Sequence, residues 1–271
     1  MASLRCCVWV AVSALFACGR SEPAPPDRPS QPTLTIAPDA RALTATTGRR
    51  VVAAGQIAQA WHTGTWSPAS ITLSDVAAGD AIVVLGAYWG DLEAGSSTAP
   101  TDLHGALRRV LDQGTATVGR KKPPVFAQVY VELDAAAGAH TILPPYLGGP
   151  AGDGTLYVVQ VRGLTERRVV TTGQAWAKAT AIPSASVALE APPAADDLVI
   201  ALAGYDNTAP RERAELSHPP AGWLPLGLQN DATNNVPSEL CYRTTAGPAA
   251  VTWSWPDPTV NVTAAVIAAL R

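Results

Sequence analysis

Cysteine is scarce, and three of the four copies stand in the first 18 residues: Cys6, Cys7 and Cys18, with Cys241 far downstream. Once a leader is removed and Cys18 is modified, Cys241 has no partner. An internal disulfide is excluded, and stability has to come from apolar cores. Cys241 stands between Leu240 and Tyr242. Such surroundings suit a buried, inert thiol rather than a nucleophile. Charge is also low, at 15% of residues, with a net of −3. Lysine is nearly absent and no basic stripe exists, so nucleic acid is not an expected partner. The apolar runs are short. Even the N-terminal one, Cys6 to Ala17, is too short to remain in a bilayer as a helix.

Local signatures of chemistry are missing as well. The four histidines, His62, His104, His140 and His218, do not pair at metal-ligand spacing. No zinc-protease helix, Cys-x-x-Cys, nucleophile elbow, phosphate loop or dinucleotide fingerprint occurs. Asp75 and Asp80 lie close but lack the alternating acidic frame of a calcium loop. Asp196-Asp197 precedes an apolar run and reads as a turn. The expectation is a non-enzymatic protein with no catalytic residue, no metal and no cofactor.

What the chain does have is an internal repeat. Arg49-Arg50-Val51-Val52-Ala53-Ala54-Gly55-Gln56 returns as Arg167-Arg168-Val169-Val170-Thr171-Thr172-Gly173-Gln174. Asp80 to Tyr88 returns as Asp197 to Tyr205 at nearly the same offset. Two matches in the same order imply one module used twice. Short segments rich in Val, Ile, Thr, Tyr and Trp, separated by glycine and proline clusters, predict strands. The expected fold is all-β: two tandem antiparallel β-sandwich domains, jelly-roll-like, over residues 42–165 and 166–271. One helix is predicted, Thr101 to Asp112, where Leu103, Leu107, Val110 and Leu111 share a face.

The N-terminus reads as an export signal over residues 1–17, followed by a proline-rich tether over 18–41. Leu15-Phe16-Ala17-Cys18 resembles the lipobox of bacterial lipoproteins, with Phe16 in place of the usual small residue. The resemblance implies that Cys18 is lipidated and that the protein is held on the cell envelope, the outer membrane being favoured because Gly19 follows. More than one acyl chain gives stable anchoring. Pro219-Pro220-Ala221-Gly222-Trp223 and Ala246-Gly247 with Val251-Thr252 resemble the β-sandwich modules of secreted bacterial and phage-tail proteins. That resemblance implies a fold and a surface location, and no reaction.

Tryptophans are the remaining lead. Trp253 and Trp255 lie two apart on a predicted strand and so share a face. With Trp89 they are candidates for stacking on a sugar ring, the alternative being core plugs. Trp223 is expected in the core. Three functions are then in play. The first is binding or structural display on the envelope, with a glycan or an envelope protein as partner. The second is carbohydrate binding, and the third a degenerate hydrolase.

Overall fold

The computed structural model describes residues 50–59, 70–89, 99–113, 125–144, 153–207, 222–229, 236–244, 247–254 and 260–271. The leader, Cys18 and the proline-rich segment lie outside them. Every element among the described residues is a strand. In chain order these are β1 (Arg50–Gln59), β2 (Ile71–Val76), β3 (Ala81–Trp89), β4 (Thr101–Asp102), β5 (Arg108–Gln113), β6 (Val125–Glu132), β7 (Gly138–Leu143) and β8 (Asp153–Arg162). The second half supplies β9 (Val169–Lys178), β10 (Ser184–Ala188), β11 (Leu198–Asn207), β12 (Leu224–Gln229), β13 (Ser238–Arg243), β14 (Ala250–Ser254) and β15 (Val260–Leu270).

The helix expected over Thr101 to Asp112 does not form. Thr101 and Asp102 pair with Leu143 and Ile142, and Arg108 to Gln113 pairs with β6. The helical spacing of leucines there is overridden by the unpaired edges of two sheets, which offer a full ladder of backbone bonds.

Strand order repeats between the halves. The first five-stranded sheet runs β1-β8-β3-β6-β5, and the second runs β9-β15-β11-β13-β12 when read from its other edge. Smaller sheets, β2-β7-β4 and β10-β14, complete the set, and all pairings are antiparallel. The Asp80 and Asp197 matches in sequence therefore mark the same place, just before the central strands β3 and β11.

Those two aspartates are built alike. Ala77 N–H donates to Asp80 Oδ2 at 3.1 Å, and Ala194 N–H donates to Asp197 Oδ2 at 2.7 Å. Arg162, at the end of β8, donates to both Asp80 oxygens at 3.0 Å. Arg271, just past β15, does the same to Asp197 at 2.8 and 3.2 Å. Burial alone would raise the Asp80 carboxyl. The bonds from Arg162, Gln160 and the Ala77 amide outweigh it and hold the group below its ordinary value. Each forked pair ties the start of a central strand to the end of its neighbour.

The continuous apolar runs have a simple cause: both faces of the large sheets are covered. On one face, Ala81, Val83, Leu85 and Ala87 of β3 join Val125, Ala127, Val129 and Val131 of β6. This face packs against Leu198, Ile200 and Leu202 of β11 and Val262, Ala264, Val266, Ala268 and Leu270 of β15. On its other face, β3 turns Ile82, Val84 and Tyr88 toward Ile71, Leu73 and Ile142 of the small sheet. In the second half, Val199, Ala201, Ala203 and Tyr205 meet Ala185, Val187, Val251 and Trp253.

The result is four layers, small–large–large–small, with three cores. The middle core is shared between the halves, and Tyr157 Oη of the first half donates to the Ser238 carbonyl of the second at 3.0 Å. Residues 32–271 form one compact unit. Gly173 shows how tightly the outer layer sits. A Cβ at that position would overlap the Ala188 carbonyl of β10.

Candidate functional site

Among the described residues one cluster of chemically active side chains emerges, and it lies between the two sheets of the first half. Strand β4 is two residues long. Its pairing sets Asp102 opposite Ile142, on the face of β7 that also carries His140. Asp102 folds the following chain back on itself, with Oδ1 accepting from His104 N–H at 2.9 Å. Its other oxygen, Oδ2, lies 2.5 Å from His140 Nδ1. The far side of that ring is held too, with Nε2 2.9 Å from the Ala136 carbonyl. Both side chains are almost wholly enclosed.

Glu132 ends β6 and reaches the same place. Its carboxyl fills the space over Gly105, where a Cβ would collide with it. The Oε2 atom of Glu132 is buried and no N–H of the protein reaches it; its carboxyl faces that of Asp102 closely enough to share a proton with it. One donor atom from each of Asp102, Glu132 and His140 lies within 4.8 Å of the others. The exposed His104 ring stands 6.3 Å from the His140 ring.

The electrostatics follow from this packing. Burial pushes the Glu132 carboxyl up, and the neighbouring Asp102 charge adds to it, with His140 opposing. For His140 burial acts downward, but the Asp102 bond, the Ala136 carbonyl and the two carboxylate charges win and raise it. Two ring nitrogens each facing an oxygen acceptor describe an imidazolium. The group can share protons internally, and it can give up a proton to take a cation.

The repeat supplies a comparison within the same molecule. Ile82 pairs with Glu132 as Val199 pairs with Arg243, so Arg243 stands where Glu132 does. Superposing the Ile71–Ile142 pair on Val187–Val251 puts Ala249 at the place of His140. Arg243 is buried, with its guanidinium 4.9 Å from the centre of the Trp223 ring and its nitrogens without hydrogen-bond partners. The cluster therefore belongs to the first half alone.

Two of the sequence-derived aromatic candidates are placed by the structure. Trp253 is completely buried in the core between the large and small sheets of the second half. Val251 and Trp253 point inward while Thr252 and Ser254 point out. Its ring offers no face to a sugar, which corrects the stacking role expected of it. Trp223 is buried in the same core, as expected. Trp89 closes β3 through its backbone, paired with Val125 and Asp153. Trp255 and Cys18 lie outside the described residues. Cys241 is buried, and burial together with the Glu239 charge pushes its thiol well up, which disfavours the thiolate a nucleophile needs.

No set of metal ligands stands close together in the chain, and the sequence alone therefore predicts no metal site. Asp102, Glu132 and His140 come from three strands and meet only through sheet pairing. One signal was present. His140 shares the inward parity of Ile142, so a polar side chain stood at a core position. No known protein family, no curated protein and no solved structure matches this chain.

Proposed function

We propose that this is a non-enzymatic lipoprotein of the bacterial cell envelope, carrying two fused copies of a jelly-roll-like β-sandwich module in a binding or display role. The observation that carries the reading is Leu15-Phe16-Ala17-Cys18 behind the short apolar run, with a proline-rich stretch after it. The repeated strand order supports the module assignment, since each half has its first and last long strands paired beside the central one. A body with three apolar cores suits a rigid unit held off a surface.

The hydrolase alternative gains one supporting feature, the convergence of His140 with two carboxylates. It loses ground on the ring itself. Both nitrogens of His140 face protein oxygens, so neither is free to take a proton from a substrate. Sugar stacking, with Trp253 buried, rests on Trp89 and Trp255.

Membrane fractionation tests the proposal. The native chain should sediment with membranes and enter the detergent phase on phase separation. Cys18→Ser should move it to the soluble fraction with its fold intact by circular dichroism. Retention of the Cys18→Ser protein in the membrane pellet would refute the anchor.

A further inference from the structure

We infer that Asp102, Glu132 and His140 form a binding site for a divalent transition-metal cation, of which zinc is the best-suited example. The argument is independent of the lipid anchor and rests on donor chemistry, preorganisation and the repeat.

The donor set is one imidazole and two carboxylates, which suits borderline cations rather than calcium or magnesium. The three donor atoms already lie within 4.8 Å of one another. Two ligands at about 2.1 Å from a tetrahedral ion stand about 3.4 Å apart. The 2.5 Å gap from His140 Nδ1 to Asp102 Oδ2 therefore has to open by less than an ångström. In the metal-free state a proton occupies that gap; the cation replaces it, and the proton leaves to solvent.

Preorganisation is visible around each ligand. The Nε2–H of His140 points at the Ala136 carbonyl, the outer contact that fixes a ligating imidazole and presents its other nitrogen. Asp102 is held from behind by the His104 amide, which leaves Oδ2 facing the cluster. Glu132 contributes an enclosed oxygen that no N–H of the protein satisfies, its one polar neighbour being the Asp102 carboxyl, with which it can share a proton only while the cation is absent. Such an atom is costly unless something else satisfies it. Glu132 is only partly buried, which leaves a route in from solvent.

The repeat shows that this strand order does not by itself demand the cluster. The second half builds the same strand order with Arg243 and Ala249 at the Glu132 and His140 places. The fold does not require the cluster. Burying two carboxylates and a histidine together is unfavourable unless they are well paired. Catalysis fits less well than ligation, because the nitrogen a cation would use points into the protein.

The test uses the full chain in mild detergent, stripped with a chelator and titrated calorimetrically with zinc chloride. We expect one equivalent to bind with a dissociation constant in the micromolar range or tighter. Cobalt(II) should give weak visible bands from nitrogen and oxygen ligands without a thiolate charge-transfer band. Replacing Cys241 or the N-terminal cysteines by serine should leave binding unchanged. Glu132→Gln removes a ligand from a partly exposed position and should weaken binding at least tenfold while circular dichroism stays native. His140→Gln should abolish it; if that variant fails to fold, Glu132→Gln decides alone. Absence of zinc and cobalt binding at about 100 µM, or binding unaffected by Glu132→Gln, would overturn the inference.

Discussion

Replacing Glu239 by glutamine should change how stability depends on pH. Glu239 lies on β13, opposite Ala203 and Leu228, with only 3% of its surface exposed. Its Oε2 has no hydrogen-bond partner, and burial pushes the carboxyl from 4.5 up to about 8. Cys241 and Arg243 follow on the same face of the strand. In the folded protein the group holds its proton up to about pH 8, whereas the unfolded chain releases it near its ordinary value. Stability from this group is fully present below about pH 4. It is lost at about 1.4 kcal/mol per pH unit as pH rises between the two values. Above pH 8 the accumulated loss levels off at roughly 4–5 kcal/mol. At about 2–4 °C per kcal/mol for a domain of this size, that is on the order of 10 °C in melting temperature.

Glutamine cannot ionise, and the first half already places Gln128 at the equivalent register, opposite Gly86 and equally buried. Glu239→Gln should therefore match the native protein near pH 4.5 and exceed it by roughly 4 kcal/mol near pH 9. Thermal melts of both proteins across that range are the assay, and the other titrating groups cancel in the difference. A difference that stays flat with pH would show that Glu239 is not held protonated, and the reasoning would fail.

Trp253→Ala should cost about 3–5 kcal/mol in denaturant unfolding, because its ring plugs the core between two sheets; a loss below about 1 kcal/mol would place the ring outside that core. Asp80→Asn and Asp197→Asn should each cost about 1–3 kcal/mol, with the Asp197 change the larger because Arg271 is better covered than Arg162. The Asp80 contribution should disappear as pH falls through its depressed value, so melts of Asp80→Asn and the native protein should converge at the acid end. Gly173→Ala should destabilise by about 1–3 kcal/mol, since its Cβ meets the Ala188 carbonyl, which cannot rotate away; an unchanged melt would mean that the small sheet sits further off.

Strand content and the duplication were legible because they rest on local signals. Runs such as Ala81 to Tyr88 have strand length and β-branched composition, and the repeated Asp80 and Asp197 marked equivalent turns. The lost helix shows where local signals stop. Leu103, Leu107, Val110 and Leu111 are spaced for a helix, yet sheet edges formed by distant residues claimed the backbone. The candidate site was hidden for the same reason. Asp102, Glu132 and His140 lie on β4, β6 and β7, and only the ladder registers show that they meet. By its place before an apolar run Asp197 is a turn residue, but its buried fork with Arg271 depends on a partner at the far end of the half.

The middle core explains how the two copies relate. A tandem pair of separate sandwiches would leave each large sheet with one face toward a small sheet and the other toward water, and its central strands would alternate apolar with polar. Strands β3 and β11 do not alternate; Ala81 to Tyr88 and Leu198 to Tyr205 are buried along their whole length. The face each half would turn to water is instead turned to its copy. Neither half can then change its inner face without its neighbour, which holds Val83, Leu85, Ile200 and Leu202 to apolar side chains of matching volume. The outer layers are under no such mutual constraint. It is there, between the large sheet and the small one, that the halves diverge, with His140 and Glu132 on one side and Ala249 and Arg243 on the other. A duplicated protein fused through its middle keeps its architecture at the centre and is free to place new chemistry at its flanks.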